Sequence, residues 1–281
     1  MIANPFTYHA PSTLEEVFTM LEDGSGKILA GGMSLIPLMK LRLASPENVI
    51  DLRRVPGLKE ITESGGVVRV GAMATHHEIE SSPVIRGKCP LLGEAAGKIG
   101  DTQVRNVGTI GGSVAHADPS ADYPAALVAL EARVRLRSAQ GERLVEASEF
   151  FVDAFTTAME PGEIVVAVEI AAEEPSEGYK YEKVPHPASG FPVVGVAARI
   201  KRSGSGIALA RIGVTGLGAR AFRARNAEAL LEGGADVAAA AAAVGEGEEA
   251  NSDLYASGEY RRHLAQVHAA RAITAALTRA S

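Results

Sequence analysis

Cysteine is nearly missing from this 281-residue chain: Cys89 is the only one, and there is no tryptophan. A disulfide framework within the chain is therefore excluded. So is a cysteine-ligated iron–sulfur cluster, which takes several thiolates. Cys89, followed by Pro90 and Leu91, reads as a buried apolar residue and not as a nucleophile. Basic runs are missing too. No Lys/Arg-rich stretch occurs and the formal charge is −6, which argues against a nucleic-acid surface. No uninterrupted apolar run reaches the roughly 18 residues needed to span a bilayer. MIANPFTYHAPST lacks the basic segment and apolar core of a signal peptide. A cytoplasmic protein without a transmembrane segment is expected.

Metal-ligand spacing is also absent. His76 and His77 are adjacent, a poor spacing for one ion, and His9, His116, His186, His263 and His268 form no cluster. A G-x-S-x-G nucleophile motif does not occur. No metal and no general acid or base are assigned.

What is present is ordinary globular composition, 46% hydrophobic and 22% charged, long enough for more than one domain. Residues 12–22 predict a helix, with Ser12 and Glu15 at capping-box spacing. Short strands are predicted over Lys27–Ala30 and Asn48–Leu52, with a helix over Leu35–Leu43 between them. From about Leu58 strands and helices alternate irregularly: strands at Val67–Ala72, Val134–Arg137 and Glu163–Ile170, helices at Thr75–Ser81 and Cys89–Ile99. The charged, turn-rich segment AEEPSEG, Ala172–Gly178, marks a boundary. Three β-like runs follow, Gly178–Lys183, Pro192–Lys201 and Ile207–Val214, the last two joined by a turn at Ser203–Gly206. Ala-rich helices close the chain, the last with Tyr260, Leu264, Val267 and Leu277 on one stripe. The class is α+β.

Two glycine–hydroxyl segments carry the candidate chemistry. In the first, Ala30-Gly31-Gly32-Met33-Ser34-Leu35-Ile36, two glycines between a strand and a helix expose successive N–H groups at a helix N-terminus, a setting suited to phosphate. A Gly-Gly pair is equally at home in a plain turn. In the second, Thr109-Ile110-Gly111-Gly112-Ser113, glycines again leave room for close backbone approach, and a side chain at Gly111 is expected to intrude on a cofactor. Asp122, ten residues beyond Gly112, suits the hydroxyls of a sugar or ribityl chain, or is the N-cap of a helix over Pro124–Glu131. Two separated segments of this kind suggest one long dinucleotide held across two lobes.

With these residues in place the chain resembles the medium, FAD-binding subunit of the xanthine dehydrogenase and aerobic carbon monoxide dehydrogenase family of molybdenum hydroxylases. The segments that carry the resemblance are AGGMSLIPLMK, VGAMATHHEI, VRNVGTIGGS, AHADPSADYPA, GFPVVGVAARI and RRHLAQVHAARAI, spread over the whole chain. The resemblance implies a two-lobed FAD-binding domain of the vanillyl-alcohol-oxidase/PCMH type over 1–175, its lobes at about 1–56 and 57–175. A small α+β domain of the carbon monoxide dehydrogenase flavoprotein type, with three antiparallel strands and helices, follows over 176–281. It implies FAD on Ala30–Ile36, Thr109–Ser113 and Asp122, with the backbone around Val165 and the side chain of Lys183 close by. Tyr123 and Tyr181 are further flavin neighbours or core aromatics. The [2Fe-2S] clusters and the molybdenum cofactor are implied on small and large partner subunits, in a dimer of heterotrimers. Met33 departs from the family, which often has a polar or aromatic residue there, as does Val184-Pro185-His186-Pro187 after Lys183. The competing class, a stand-alone flavin oxidase, needs its own substrate domain, and the Ala-rich region after Gly178 is short for one.

Overall fold

The computed structural model describes residues 2–172, 174, 176–204 and 206–280. Glu173 and Pro175 of the expected boundary and Ser205 of the expected hairpin turn lie outside the described residues.

The first unit is a three-stranded parallel sheet in the order Thr7–His9, Asn48–Asp51, Gly26–Leu29. Helix Leu14–Leu21 lays Val17 and Phe18 into a core shared with Ile50 and Leu52. Its cap is Thr13, whose side chain accepts from the Glu16 N–H while the Ser12 N–H donates to the Glu16 carboxylate, one residue later than the expected Ser12–Glu15 pairing. Strand Gly26–Leu29 leads through Gly31-Gly32 into helix Leu35–Lys40. That helix stops before the expected Leu43. Arg42 adopts φ 60°, and the N–H groups of Arg42 and Leu43 turn back to Met39 and Leu38, a C-terminal motif in which glycine is the usual marker.

The second unit is a five-stranded antiparallel sheet in the order Ile61–Ser64, Val67–Gly71, Ile164–Ala171, Arg133–Ser138, Gly141–Glu146. Short helices connect its strands. One of them, Asp122–Ala129, is buried at every position. It can be, because the next sheet covers it: a Cβ on Gly213 would lie 2.0 Å from the Ala125 carbonyl oxygen, an approach open only to glycine.

That next sheet is antiparallel, in the order Glu177–Pro185, Pro192–Ser203, Gly206–Thr215, Phe222–Arg223. The two-residue fourth strand extends the three expected ones. Helix Gly258–Arg279 lies against the first two. Its buried face is Arg261, Leu264, Ala265, His268, Ala269, Ala272, Ile273 and Ala276; of the expected stripe Leu264 lies on it and Leu277 packs at its edge, whereas Tyr260 is exposed and Val267 half-buried. Small side chains decide this: a Cβ on Gly178 would sit 1.9 Å from the Ala276 carbonyl oxygen, and bulkier residues would hold the helix away. No helix among the described residues is long and apolar enough to cross a membrane.

Candidate functional site

The first glycine segment ends a strand and begins a helix. Gly32 has φ 75°, the left-handed conformation that favours glycine. Among the described residues the N–H groups of Gly31, Gly32, Met33, Ser34 and Leu35 meet no protein acceptor, and Ser34 makes no capping bond. Met33 and Ile36 are exposed. Five consecutive free donors at a helix start form a concentrated site for an anion.

The second segment turns out differently. Residues Ile110–His116 are a helix, not a loop. Its N-terminal donors are already used: Ile110 N–H donates to Ala74 O, Gly111 N–H to Ala72 O, and Gly112 N–H to the Thr109 hydroxyl. Gly111 does not face open space. A Cβ there would lie 2.4 Å from the Ala72 Cβ and 2.7 Å from its carbonyl oxygen. The glycine thus seats this helix on the strand end, and the expected intrusion on a cofactor is replaced by a clash inside the fold. Ala72 in turn donates to Val166 O beside the irregularity in strand Ile164–Ala171, which is where buried Val165 sits. Only Gly112 and Ser113, both half-buried, are left to face outward.

The two segments touch. A Cβ on Gly31 would fall 2.2 Å from Val107 O and 2.8 Å from Gly108 Cα, and one on Gly112 would fall 3.4 Å from the Ala30 Cβ. From Gly108 a polar path runs inward. His76 packs its ring on Gly108, its N–H donates to Gly108 O, and its Nδ1 lies 3.1 Å from the Tyr123 hydroxyl. Burial lowers the His76 pKa to about 4 and raises that of Tyr123 well above its usual value. The ring is therefore neutral, and it shares one hydrogen bond with the phenol.

Next along the chain, Asp122 is 4% exposed and caps nothing; the N-cap position is Ala121. Its Oδ1 accepts from the Tyr181 hydroxyl at 2.8 Å and its Oδ2 from Lys183 Nζ at 3.0 Å. Lys183 also donates to the Lys98 carbonyl at 2.7 Å. Burial raises the Asp122 carboxyl to about 6 against the pull of Lys183, and burial lowers the Lys183 ammonium against the pull of Asp122. Lys98 and Val107 escaped the sequence reading because both act through main-chain carbonyls, which no side-chain pattern marks.

A cavity of about 430 Å³ bounded by Glu80, Arg86, Glu94, Lys98 and Tyr179 contains none of the sequence-predicted residues. A long dinucleotide needs an open track of donors, and the N–H groups of Gly31–Leu35, free among the described residues, are the candidate for it. They fit the diphosphate of FAD. No group of three or more side chains that could hold a metal occurs among the described residues.

Comparison with known proteins agrees with this geometry. The profile described as "FAD binding domain in molybdopterin dehydrogenase" matches residues 4–172, and that described as "CO dehydrogenase flavoprotein C-terminal domain" matches 179–276. The chain is 38% identical over 286 residues to the carbon monoxide dehydrogenase medium chain of Hydrogenophaga pseudoflava, covering 99% of each. It is 35% identical over 282 residues to the 6-hydroxypseudooxynicotine dehydrogenase complex subunit alpha of Paenarthrobacter nicotinovorans, covering 98% of this chain and 95% of that one. The solved structure of the Hydrogenophaga pseudoflava carbon monoxide dehydrogenase lacking the Mo-pyranopterin moiety superposes with a TM-score of 0.97 at 39% identity, covering 100% of both chains. The chain belongs to the family of FAD-binding medium subunits of molybdenum hydroxylases.

Proposed function

We propose that the chain holds one FAD non-covalently, takes electrons from an iron–sulfur small subunit and passes them to a terminal acceptor, while a molybdenum-cofactor large subunit oxidises the substrate. FAD supplies the redox chemistry when bound, and the protein supplies binding, orientation and electrostatics. The N–H groups of Gly31, Gly32, Met33, Ser34 and Leu35, with the Ser34 hydroxyl, hold the diphosphate; Ala30 and Ile36 frame that turn. Thr109, Ile110 and Gly111 seat the second helix, and Gly112 and Ser113 form the facing wall. Asp122, Val165 and Lys183 lie toward the flavin end. The FAD-binding part is 1–175, with lobes at about 1–56 and 57–175, and the smaller domain is 176–281. The assembly is a dimer of heterotrimers in the cytoplasm.

The observation that carries this reading is the run of five unpartnered N–H groups pressed, at Gly31, against the second segment. Acid precipitation of the purified chain should release FAD into the supernatant. FMN, or flavin that stays with the pellet, would contradict it.

A further inference from the structure

Helix Ile110–His116 ends at Ala117, whose φ of 49° is left-handed. A turn over residues 118–121, closed by the Ala121 N–H on Asp118 O, then leads into the buried helix Asp122–Ala129. The smaller domain holds that turn. The Thr215 hydroxyl lies 2.9 Å from Pro119 O and 2.9 Å from Ala121 O, and the Gly216 N–H donates to Pro119 O at 2.8 Å. Thr215 is 0% exposed, so bulk water does not stand in for its hydroxyl. A buried guanidinium braces the strand end behind it: Arg261 donates to Gly216 O at 2.9 Å and to Val193 O at 2.6 Å. Side chains alternate between the faces of a strand, so Arg211, Gly213 and Thr215 share one face. They follow the buried helix from its end to its start. Arg211 Nε donates to Glu131 at 2.8 Å, Gly213 sits against the Ala125 carbonyl, and Thr215 reaches the turn.

We infer that Thr215 is a positioning residue: from the smaller domain it fixes the turn between the two helices, and with it the pose of FAD against Gly112 and Ser113, so that FAD binding and the docking of the smaller domain are coupled. This rests on the FAD reading above, through the wall of Gly112 and Ser113 that the turn follows.

The full chain with FAD gives three readouts: affinity by titration, the visible circular dichroism of the bound flavin, and amide hydrogen exchange at Gly216. In the wild type FAD should slow exchange at Gly216, because coupling between two sites acts in both directions. Thr215→Val removes the hydroxyl and keeps the shape. It should leave the far-ultraviolet circular dichroism unchanged and bind FAD about tenfold more weakly, roughly the worth of one buried hydrogen bond. It should also alter the visible band and lose the effect of FAD on Gly216. Thr215→Ser restores the hydroxyl and should recover all three readouts. Thr215→Val with the wild-type visible band and the wild-type exchange response, whatever its affinity, overturns the positioning role, and so does a Thr215→Ser that fails to recover them. Should Thr215→Val not fold, the wild type decides: exchange at Gly216 that FAD leaves unchanged overturns the coupling, and slowed exchange supports it. A wild-type chain that takes up no FAD overturns the reading above and the coupling with it.

Discussion

His76 and His77 look alike in the sequence, and the fold gives them opposite fates. His77 is exposed, whereas His76 is 5% exposed, wedged between Gly108 and Tyr123. Its pKa is lowered to about 4, first by burial and then by Arg105, from an ordinary value of 6.5. The unfolded chain therefore takes up a proton as pH falls through 6.5, while the folded chain resists until about 4. Stability is intact above the upper value and is lost as pH falls toward the lower one, by about 3 kcal/mol at most. Urea unfolding at a series of pH values should show this loss in the wild type and a shallower profile in His76→Gln. Equal slopes in the two proteins would mean that the ring is not held neutral. The same residue shows where sequence reading ends. Adjacent histidines argue against a shared metal site, but nothing in HH foretells that one of them packs between Gly108 and Tyr123.

Most strands and helices follow from periodicity, and the departures cluster where small residues control packing. Gly108, Gly111 and Gly112 read as a loop because glycine disfavours helix. Two of the three are instead contact points, against His76 and Ala72, in or beside a helix whose donors are satisfied. Alanine misled in the same way in helix Gly258–Arg279: large apolar residues suggested one stripe, of which Leu264 and Leu277 pack, and close approach to the sheet selected a face otherwise rich in alanine. The first segment was readable because a strand, two glycines and a helix in succession leave donors free whatever the tertiary details. Its docking on Val107 was not, since that contact is between backbones 76 residues apart in the chain. This contact gives an element-scale prediction. Gly31→Ala places a Cβ 2.2 Å from a carbonyl oxygen that cannot rotate away. Overpacking of that kind costs about 1–3 kcal/mol, which corresponds to FAD bound roughly ten- to a hundredfold more weakly if the two segments part. Dialysed Gly31→Ala protein should keep its circular dichroism and lose most of its FAD; full FAD retention would show that the junction does not bear on the site.

At the scale of the whole molecule, the count of thiols dictates dependence on partners. A flavin that receives electrons from a molybdenum centre on another subunit needs a relay between them, and iron–sulfur clusters take several cysteine thiolates. This chain has Cys89 alone, and the fold buries it at 0% exposure in the core of the second unit. The clusters of the proposed relay therefore belong to another subunit. The long C-terminal helix is not free to provide the whole docking surface, because its alanine face is already spent on the chain's own sheet. Phe191 at 44% and Tyr255 at 49% are exposed beyond the end of strand Glu177–Pro185, where the Tyr255 ring packs at a tilt with its centroid 4.4 Å from that of His186. The purified chain should accordingly show no hydroxylase activity on carbon monoxide, aldehydes or N-heterocycles, although an artificial electron donor still bleaches its flavin. Adding the iron–sulfur and molybdenum subunits should restore bleaching by the substrate of the complex, at a rate that saturates with the iron–sulfur subunit. Bleaching by substrate in the lone, metal-free chain would require a substrate site within these 281 residues and would make the protein a self-contained flavin oxidase.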